Sequence, residues 1–369
     1  MKIVQLVPEL NEGGVERGTV EFSRELIKNG HQSVVISKGG TLARQVEAAG
    51  GQHLVLDLCS KNLFSAPWRI NRLRQTLKKL QPDLLHARSR VPAWLAYMAN
   101  RGLGLPLVTT VHGIYSVNSY SRIMTRGDRV ICISEVLQEQ VCKHYGLDRK
   151  KITVIQRGVD LDSFDPAKLN NDFIKDFKGR YKLAGKFIVA SIGRVTYLKD
   201  YETFIKAIAL TREQLPNLVG VIVGGTTKDK QAYLQKLQEL AGRLGVADAV
   251  VFAGSQTMMP EIYALSDLTV NASLTMGNVG RTVIESLAMN TPVLATSYKG
   301  LANVVQDGEN GYIIATNNPA DLAAKILLAS RTSFHNLRHR LDREYTLPAM
   351  VEKTIQLYQE LLRQNKTAA

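Results

Sequence analysis

Two short segments hold most of the residues whose types and spacing could do chemistry. Arg194 and Lys199 follow the β-branched run 187–193, which ends in Gly193. A guanidinium grips oxyanions as a planar fork and an ammonium acts as a point charge, so two cations in a loop after a strand suit a diphosphate. Solvated surface cations are the plainer alternative. Further on, the run 268–273 passes through Gly277, Asn278 and Val279 to Gly280, Arg281 and Thr282, where a helix is expected to begin. The first amides of a helix lack internal partners and its dipole is positive at that end, so these three residues form an anion cradle, with glycines that permit close approach. Glu285 stands one turn further on. Its carboxylate could accept hydrogen bonds from the vicinal hydroxyls of a ribose, or simply be an acid favourably placed near a helix start.

The first half of the chain offers weaker signals. In PELNEGGVERG, Gly13 and Gly14 precede a helix, and the pair reads equally as a close approach to an anion or as a simple reversal of direction. A nicotinamide-binding turn is not expected, because Lys38 stands where an acid would hold the ribose. His112 closes the run LVTTVH and is followed by Gly113. A histidine there can hydrogen-bond a ligand hydroxyl or tune developing charge, although a lone histidine also serves structure alone.

These residues need elements to hold them, and the patterning supplies the elements. Short β-branched runs alternate with helical periods from KIVQLV onward, which predicts a parallel sheet covered by helices on both faces. The alternation pauses over a charged, weakly periodic linker at 168–183 and restarts at FIVASIG. The expectation is therefore an α/β chain with two doubly wound, Rossmann-like domains, 1–168 and 169–346, facing a cleft. The apolar period over 347–366 predicts a C-terminal helix that packs back on the first domain. Ligands of open α/β sheets bind beyond the carboxyl ends of the strands, where all the candidate residues fall.

Composition narrows the function classes. A chain of 369 residues with 45% hydrophobic residues can bury two cores. No apolar run reaches the ~20 residues of a membrane span, and no leader pattern follows the first strand, so a cytoplasmic location is expected. The three cysteines, Cys59, Cys132 and Cys142, lie far apart, and no set of His, Cys, Asp or Glu has metal-ligand spacing, so neither a metal nor another cofactor is expected. A P-loop and a hydrolase elbow are absent. The net charge of +14 favours an acidic partner. Nucleic acid is the weakest of these, since aromatics are 7% of the chain and no nucleic-acid fold signature is present. The helix expected over 69–80 sets Ile70, Leu73, Leu77 and Leu80 against Arg69, Arg72, Arg74, Lys78 and Lys79. Such a helix can lie on an anionic membrane or merely cover the sheet with a solvated basic face.

GGVERG, TTVHG, GRVTYLKD, the VGG at 223–225 and GNVGRTVIESLAMNTPVLAT together resemble the GT-B glycosyltransferases, and among them the retaining glycosyltransferase family 4, over almost the whole chain. HARSRVPAWLA and VIQRGVDLDSF resemble a bacterial branch acting on lipopolysaccharide core or other surface glycans. The resemblance implies a nucleotide-diphosphate sugar donor and a glycan or lipid-linked acceptor. It implies that Gly14 approaches the donor phosphates and His112 contacts the transferred sugar, that Arg194 and Lys199 bind the diphosphate, and that Glu285 holds the ribose. Gly193, Asn278, Val279, Gly280, Arg281 and Thr282 complete the implied donor set. One departure stands out: the family has an acid where this chain has Gly277, which leaves open a different donor sugar, contacts from the amides of Asn278 and Val279, or a binder that no longer catalyses. A GT-B epimerase would need additional acids around the sugar, and no such cluster is present.

Overall fold

The computed structural model describes all residues except 12, 228–229, 275–279, 342 and 369, and all described side chains except those of 340 and 366–368. The chain forms two compact units, one of Met1–Arg157 with Leu347–Ala369 and the other of Gly158–Thr346.

In the first unit the strands are β1 (Lys2–Leu6), β2 (Gln32–Ser37), β3 (Gln52–Val55), β4 (Leu84–Ala87), β5 (Leu107–Val111), β6 (Arg129–Cys132) and β7 (Ile152–Val154). They form a parallel sheet of order β3-β2-β1-β4-β5-β6-β7. Strands such as β5, buried along its whole length, are apolar without alternation because helices cover both faces. The covering helices are α1 (Gly14–Lys28), α2 (Ala43–Ala48), α3 (Ala66–Leu80), α4 (Arg90–Ala99) and α5 (Glu135–Tyr145). In α3 the stripe Leu73 and Leu77 is buried in the core, and Arg69, placed by periodicity on the polar face, is buried too. Arg69 turns inward because the loop before α3 offers it carbonyls: it donates to Ser60 O and Asn62 O, both at 2.8 Å.

The second unit repeats the plan. Its strands are β8 (Phe187–Ile192), β9 (Leu218–Val223), β10 (Val250–Gly254), β11 (Leu268–Asn271), β12 (Val293–Thr296) and β13 (Gly311–Ile314), in the parallel order β10-β9-β8-β11-β12-β13. Its helices are α6 (Asn171–Arg180), α7 (Tyr201–Arg212), α8 (Gln231–Arg243), α9 (Met259–Ala264), α10 (Arg281–Ala288) and α11 (Pro319–Ala329). The charged stretch expected to be a linker is instead α6 and its flanks. The Asn170 side chain caps it by accepting from Phe173 N at 3.0 Å, and Phe173, Phe177 and Tyr181 stack down one side with centroids 5.7 and 4.7 Å apart. The junction therefore falls between Arg157 and Gly158 rather than near 168. Val159 and Phe164 are already core residues of the second unit, and Arg338 ties their segment down by donating to Leu161 O at 2.7 Å and to Phe164 O.

The final helix, α12 (Leu347–Ala368), returns to the first unit. Leu347, Val351, Leu357, Tyr358 and Leu361 pack on Ile3, Leu84, Val108 and Ile131 of the sheet and on Phe22 and Leu26 of α1. Polar groups lie within this apolar seam and are paired: Tyr358 Oη is 2.6 Å from His86 Nδ1, and His86 Nε2 is 2.6 Å from Thr110 Oγ1. Among the described residues no helix is long and apolar enough to cross a membrane.

Two outcomes follow for the seam. Leu361→Ala should cost about 2–5 kcal/mol by cavity formation, and Tyr358→Phe about 1–3 kcal/mol by stripping a buried imidazole of its partner, both read as lowered melting temperatures. Burial, reinforced by the neighbouring Arg88, lowers the His86 pKa well below 6.5. A folded-state pKa below the unfolded value means that this stability is present above pH 6.5 and is lost as the pH falls beneath it. The acid limb of a plot of melting temperature against pH should be shallower for His86→Gln than for the parent chain.

Candidate functional site

In the second unit β8 and β11 are hydrogen-bonded neighbours although β9 and β10 lie between them in sequence. The strand order reverses at this point, so the loops leaving β8 and β11 open a crevice between them at the carboxyl edge, the usual ligand position of such sheets. The β8 loop runs through Gly193 and Arg194 into a short 3-10 turn, Tyr197–Lys199, and then α7. Asp200 sits in the left-handed region at φ 49° while its side chain caps α7 through Thr203 N, a combination that turns Lys199 back over the strand end. Lys199 folds against Gly193, where a Cβ would stand 2.8 Å from its Cε. Any side chain at 193 would therefore push the ammonium away. The VGG segment has a similar cause: a Cβ on Gly224 would stand 1.9 Å from Gly193 O, so the β9 loop can rest on the β8 loop only without one.

Lys199 is linked to the β11 side by three hydrogen bonds. Its Nζ donates to Ser273 Oγ at 3.3 Å, Ser273 Oγ donates to Asn271 Oδ1 at 2.7 Å, and Asn271 Nδ2 donates to Thr282 Oγ1 at 2.9 Å. The ammonium is thereby set next to the start of α10. There Gly280 is the N-cap and supplies no side-chain bond, and the first turn carries no acid. The first amides of a helix have no partners within it. Burial lowers the Lys199 pKa and the nearby Arg194 lowers it further, since both favour the uncharged amine. Arg194 itself is exposed and forms no ion pair among the described residues. Among the described residues these two cations have no counter-anion, and beside a helix start they are chemically suited to an anion.

Glu285 is placed differently from a freely presented ribose ligand. It is 6% exposed, its Oε2 accepts from the Tyr263 hydroxyl at 2.7 Å, and its Oε1 is paired with Arg281 Nε one turn earlier. The carboxylate thus locks α10 to α9, and a ribose would have to share its oxygens with Arg281 and Tyr263. Gly277, Asn278 and Val279 lie outside the described residues.

The remaining candidates belong to the first unit. His112 follows β5 directly, and both of its ring nitrogens are buried without a hydrogen-bond partner among the described residues. Burial, followed by the charges of Arg157 and Arg88, lowers its pKa well below 6.5, so the ring is neutral at pH 7. It can offer a ligand one donor and one acceptor. Gly14 begins α1, and Arg157 lies over that helix start, donating to Gly14 O and standing 3.0 Å from where a Gly14 Cβ would be. Glycine at 14 therefore leaves room for an arginine.

Arg157 and Arg88 are candidate residues that the reading of single motifs did not single out. Arg88 follows β4 next to β1, at the point where this sheet also reverses order. It is 6% exposed, donates from Nη1 to Gln5 Oε1 at 2.7 Å, lies 5.6 Å from the Phe22 ring centroid, and has no partner for Nε among the described residues. The available signal was positional: HARSR and VIQRG each place an arginine within two or three residues of a strand end. Among the described residues no group of three or more His, Cys, Asp or Glu could hold a metal ion.

Comparison with known proteins agrees with this geometry. The Glycosyltransferase Family 4 model matches residues 12–163 and the Glycosyl transferases group 1 model matches residues 172–345. A D-inositol 3-phosphate glycosyltransferase of Thermomonospora curvata is 30% identical over 270 residues, which span 66% of this chain and 62% of that protein. The matched part is thus less than two thirds of that relative. The solved glycosyltransferase of Rickettsia africae ESF-5 is 29% identical with a TM-score of 0.86, covering 98% of either chain. The Anabaena protein HepE, solved with UDP and glucose, has the same fold at 20% identity, with a TM-score of 0.86 over 97% of this chain and 99% of that one. With one family model on each doubly wound unit and a near-complete structural match, the chain belongs to the GT-B glycosyltransferases, with a family 4 domain followed by a group 1 domain.

Proposed function

We propose that the protein transfers a sugar from a nucleoside-diphosphate sugar to a hydroxyl of a glycan or glycolipid, with retention at the transferred carbon and without a metal ion. The observation that carries this reading is the hydrogen-bonded line from Lys199 through Ser273 and Asn271 to Thr282, which links a desolvated cation to the first turn of α10.

In the proposed reaction the bond between the anomeric carbon and the diphosphate oxygen breaks, and the diphosphate leaves with the electron pair. Lys199, Arg194 and the amides of Gly280, Arg281 and Thr282 neutralise the charge that develops there. The acceptor hydroxyl approaches the same face of the sugar and gives its proton to the departing phosphate oxygen. The neutral His112 holds a hydroxyl of the transferred sugar, and Glu285 contributes to the ribose contact together with its partners.

The acceptor assigned in this proposal is a lipopolysaccharide-core or related surface glycan, met by a protein peripherally bound to an anionic membrane. The resemblance in HARSRVPAWLA and VIQRGVDLDSF and the net charge of +14 support it. One observation favours a second reading, a nucleotide-sugar binder without turnover: Gly277 stands where an acid is usual. Release of free sugar from donor in the absence of acceptor separates the two, because a pure binder releases none.

A thermal-shift panel of UDP, GDP and ADP sugars should show one nucleotide raising the melting temperature, and silence from all three would remove the donor assignment. Lys199→Ala should weaken binding of the preferred nucleoside diphosphate by about tenfold to a hundredfold, the worth of a hydrogen bond from a charged donor, with the fold intact. The lowered Lys199 pKa means that affinity should fall as pH rises, beginning below the ordinary lysine value of 10.5. Lys199→Arg should keep its affinity over that range, and calorimetric titration across pH would reveal a matching decline if Lys199 were not the group involved.

A further inference from the structure

An apolar cavity of the first unit shares no lining residue with the candidate site described above. It measures about 590 Å³ and opens between α3 and α4, walled by Leu63, Ile70, Val91, Trp94, Leu95 and Met98. That volume is ordinary for a ligand site, but the walls are almost entirely hydrocarbon and aromatic, which suits an apolar chain rather than a sugar or a nucleotide. The segment that supplies the lining residues Leu63, Ala66 and Arg69 also holds large apolar groups out in water: Leu63 is 83% exposed, Phe64 98% and Trp68 59%. Consecutive large apolar groups held out in water mark a docking surface.

The charge around the mouth says what docks. From Ser60 to Gln81 the chain carries Lys61, Arg69, Arg72, Arg74, Lys78 and Lys79 and no acid at all. Two of these cations are used within the fold, Arg69 in holding the loop carbonyls and Arg74 in donating to Met98 O at 2.9 Å. Lys61, Lys78 and Lys79 are exposed, and Arg72 stacks on Trp68 with its guanidinium carbon 5.3 Å from the ring centroid. Apolar and aromatic groups projecting among cations are complementary to the surface of an anionic bilayer. Of the helix's own apolar stripe, Leu73 and Leu77 are buried in the core and Ile70 walls the cavity.

We propose that the cavity between α3 and α4 takes up one hydrocarbon chain of an anionic bilayer lipid, with Leu63, Phe64 and Trp68 lying in the interface and Lys61 and Arg72 on the head group. The proposal rests on the reading of the protein as one that works at an anionic membrane surface, but not on catalysis.

The chain's two tryptophans are Trp94, in the wall, and Trp68, next in sequence to the lining residue Arg69, so tryptophan emission reports on this region. Phosphatidylglycerol vesicles should pellet the full-length protein and shift its emission to the blue, whereas phosphatidylcholine vesicles should do neither. Dodecyl phosphate below its micellar concentration should give the same saturable shift, and inorganic phosphate none. Ile70→Arg, which puts a charge in the cavity, should abolish the dodecyl phosphate response. Leu63→Ser, at an exposed position where folding is not at stake, should weaken vesicle binding about tenfold, the worth of one buried leucine. An unchanged dodecyl phosphate response in both variants, or an equal response to inorganic phosphate, would overturn the proposal. Pelleting of both variants as tight as that of the parent chain would leave the membrane reading standing and remove the chain-binding cavity. Absence of pelleting in the parent chain would remove both.

Discussion

The parallel pairing of β8 with β11, Leu268 against Val189 through Val270 against Ser191, brings together two loops that are some eighty residues apart in the chain. A doubly wound sheet must reverse its strand order somewhere, and at that position no crossover helix fills the space above the strand ends. In the second unit the space receives the start of α10 from one side and Lys199 from the other, joined through Ser273 and Asn271. Holding an ammonium there, next to a second cation and partly out of water, is unfavourable until an anion arrives. The pairing of two strands thus creates both the site and its demand for a negatively charged ligand.

The first unit solves a related problem with a buried arginine and a buried histidine. Arg88 occupies the corresponding reversal between β1 and β4, in contact with a glutamine carbonyl and an aromatic face. His112, on the neighbouring strand end, is kept neutral by the same desolvation and by the arginines around it. A neutral imidazole with two unpartnered nitrogens suits hydroxyls, whereas Lys199 and Arg194 suit phosphate. The division of chemistry between the units therefore follows from which groups each leaves uncompensated.

Much of this was legible in the sequence because parallel strands covered on both faces need continuous apolar runs, and FIVASIG, LTVNAS and LVTTVH have no other use. Arg194, Lys199 and the start of α10 were legible for the same reason, since a strand end followed by cations or glycines is a local pattern. The relay was not, because Ser273 and Asn271 acquire their roles only when β8 and β11 become neighbours. Glu285 showed its spacing but not its partners: Arg281 lies one turn before it, and Tyr263 comes from another helix. The stretch 168–183 misled because its charges mask a short capped helix whose three aromatic rings form the real signal. For the basic helix, periodicity identified an apolar stripe and left open whether it meets a membrane or the sheet, and Leu73 and Leu77 face the core.

The composition of the first unit has a consequence for how the chain is made. Its sheet is built from Met1–Arg157, yet the seam over Ile3, Leu84, Val108 and Ile131 is closed by α12, which begins at Leu347. A ribosome adding residues in order delivers the whole second unit before it delivers that cover. The exposed seam must then wait, through the synthesis of nearly two hundred residues, with the apolar face of a parallel sheet open to water and to other nascent chains. The second unit, whose residues are contiguous from Gly158 to Thr346, has no such delay. The order of maturation is therefore the reverse of the order of translation, and the interval before α12 docks is when a chaperone has most to offer this chain.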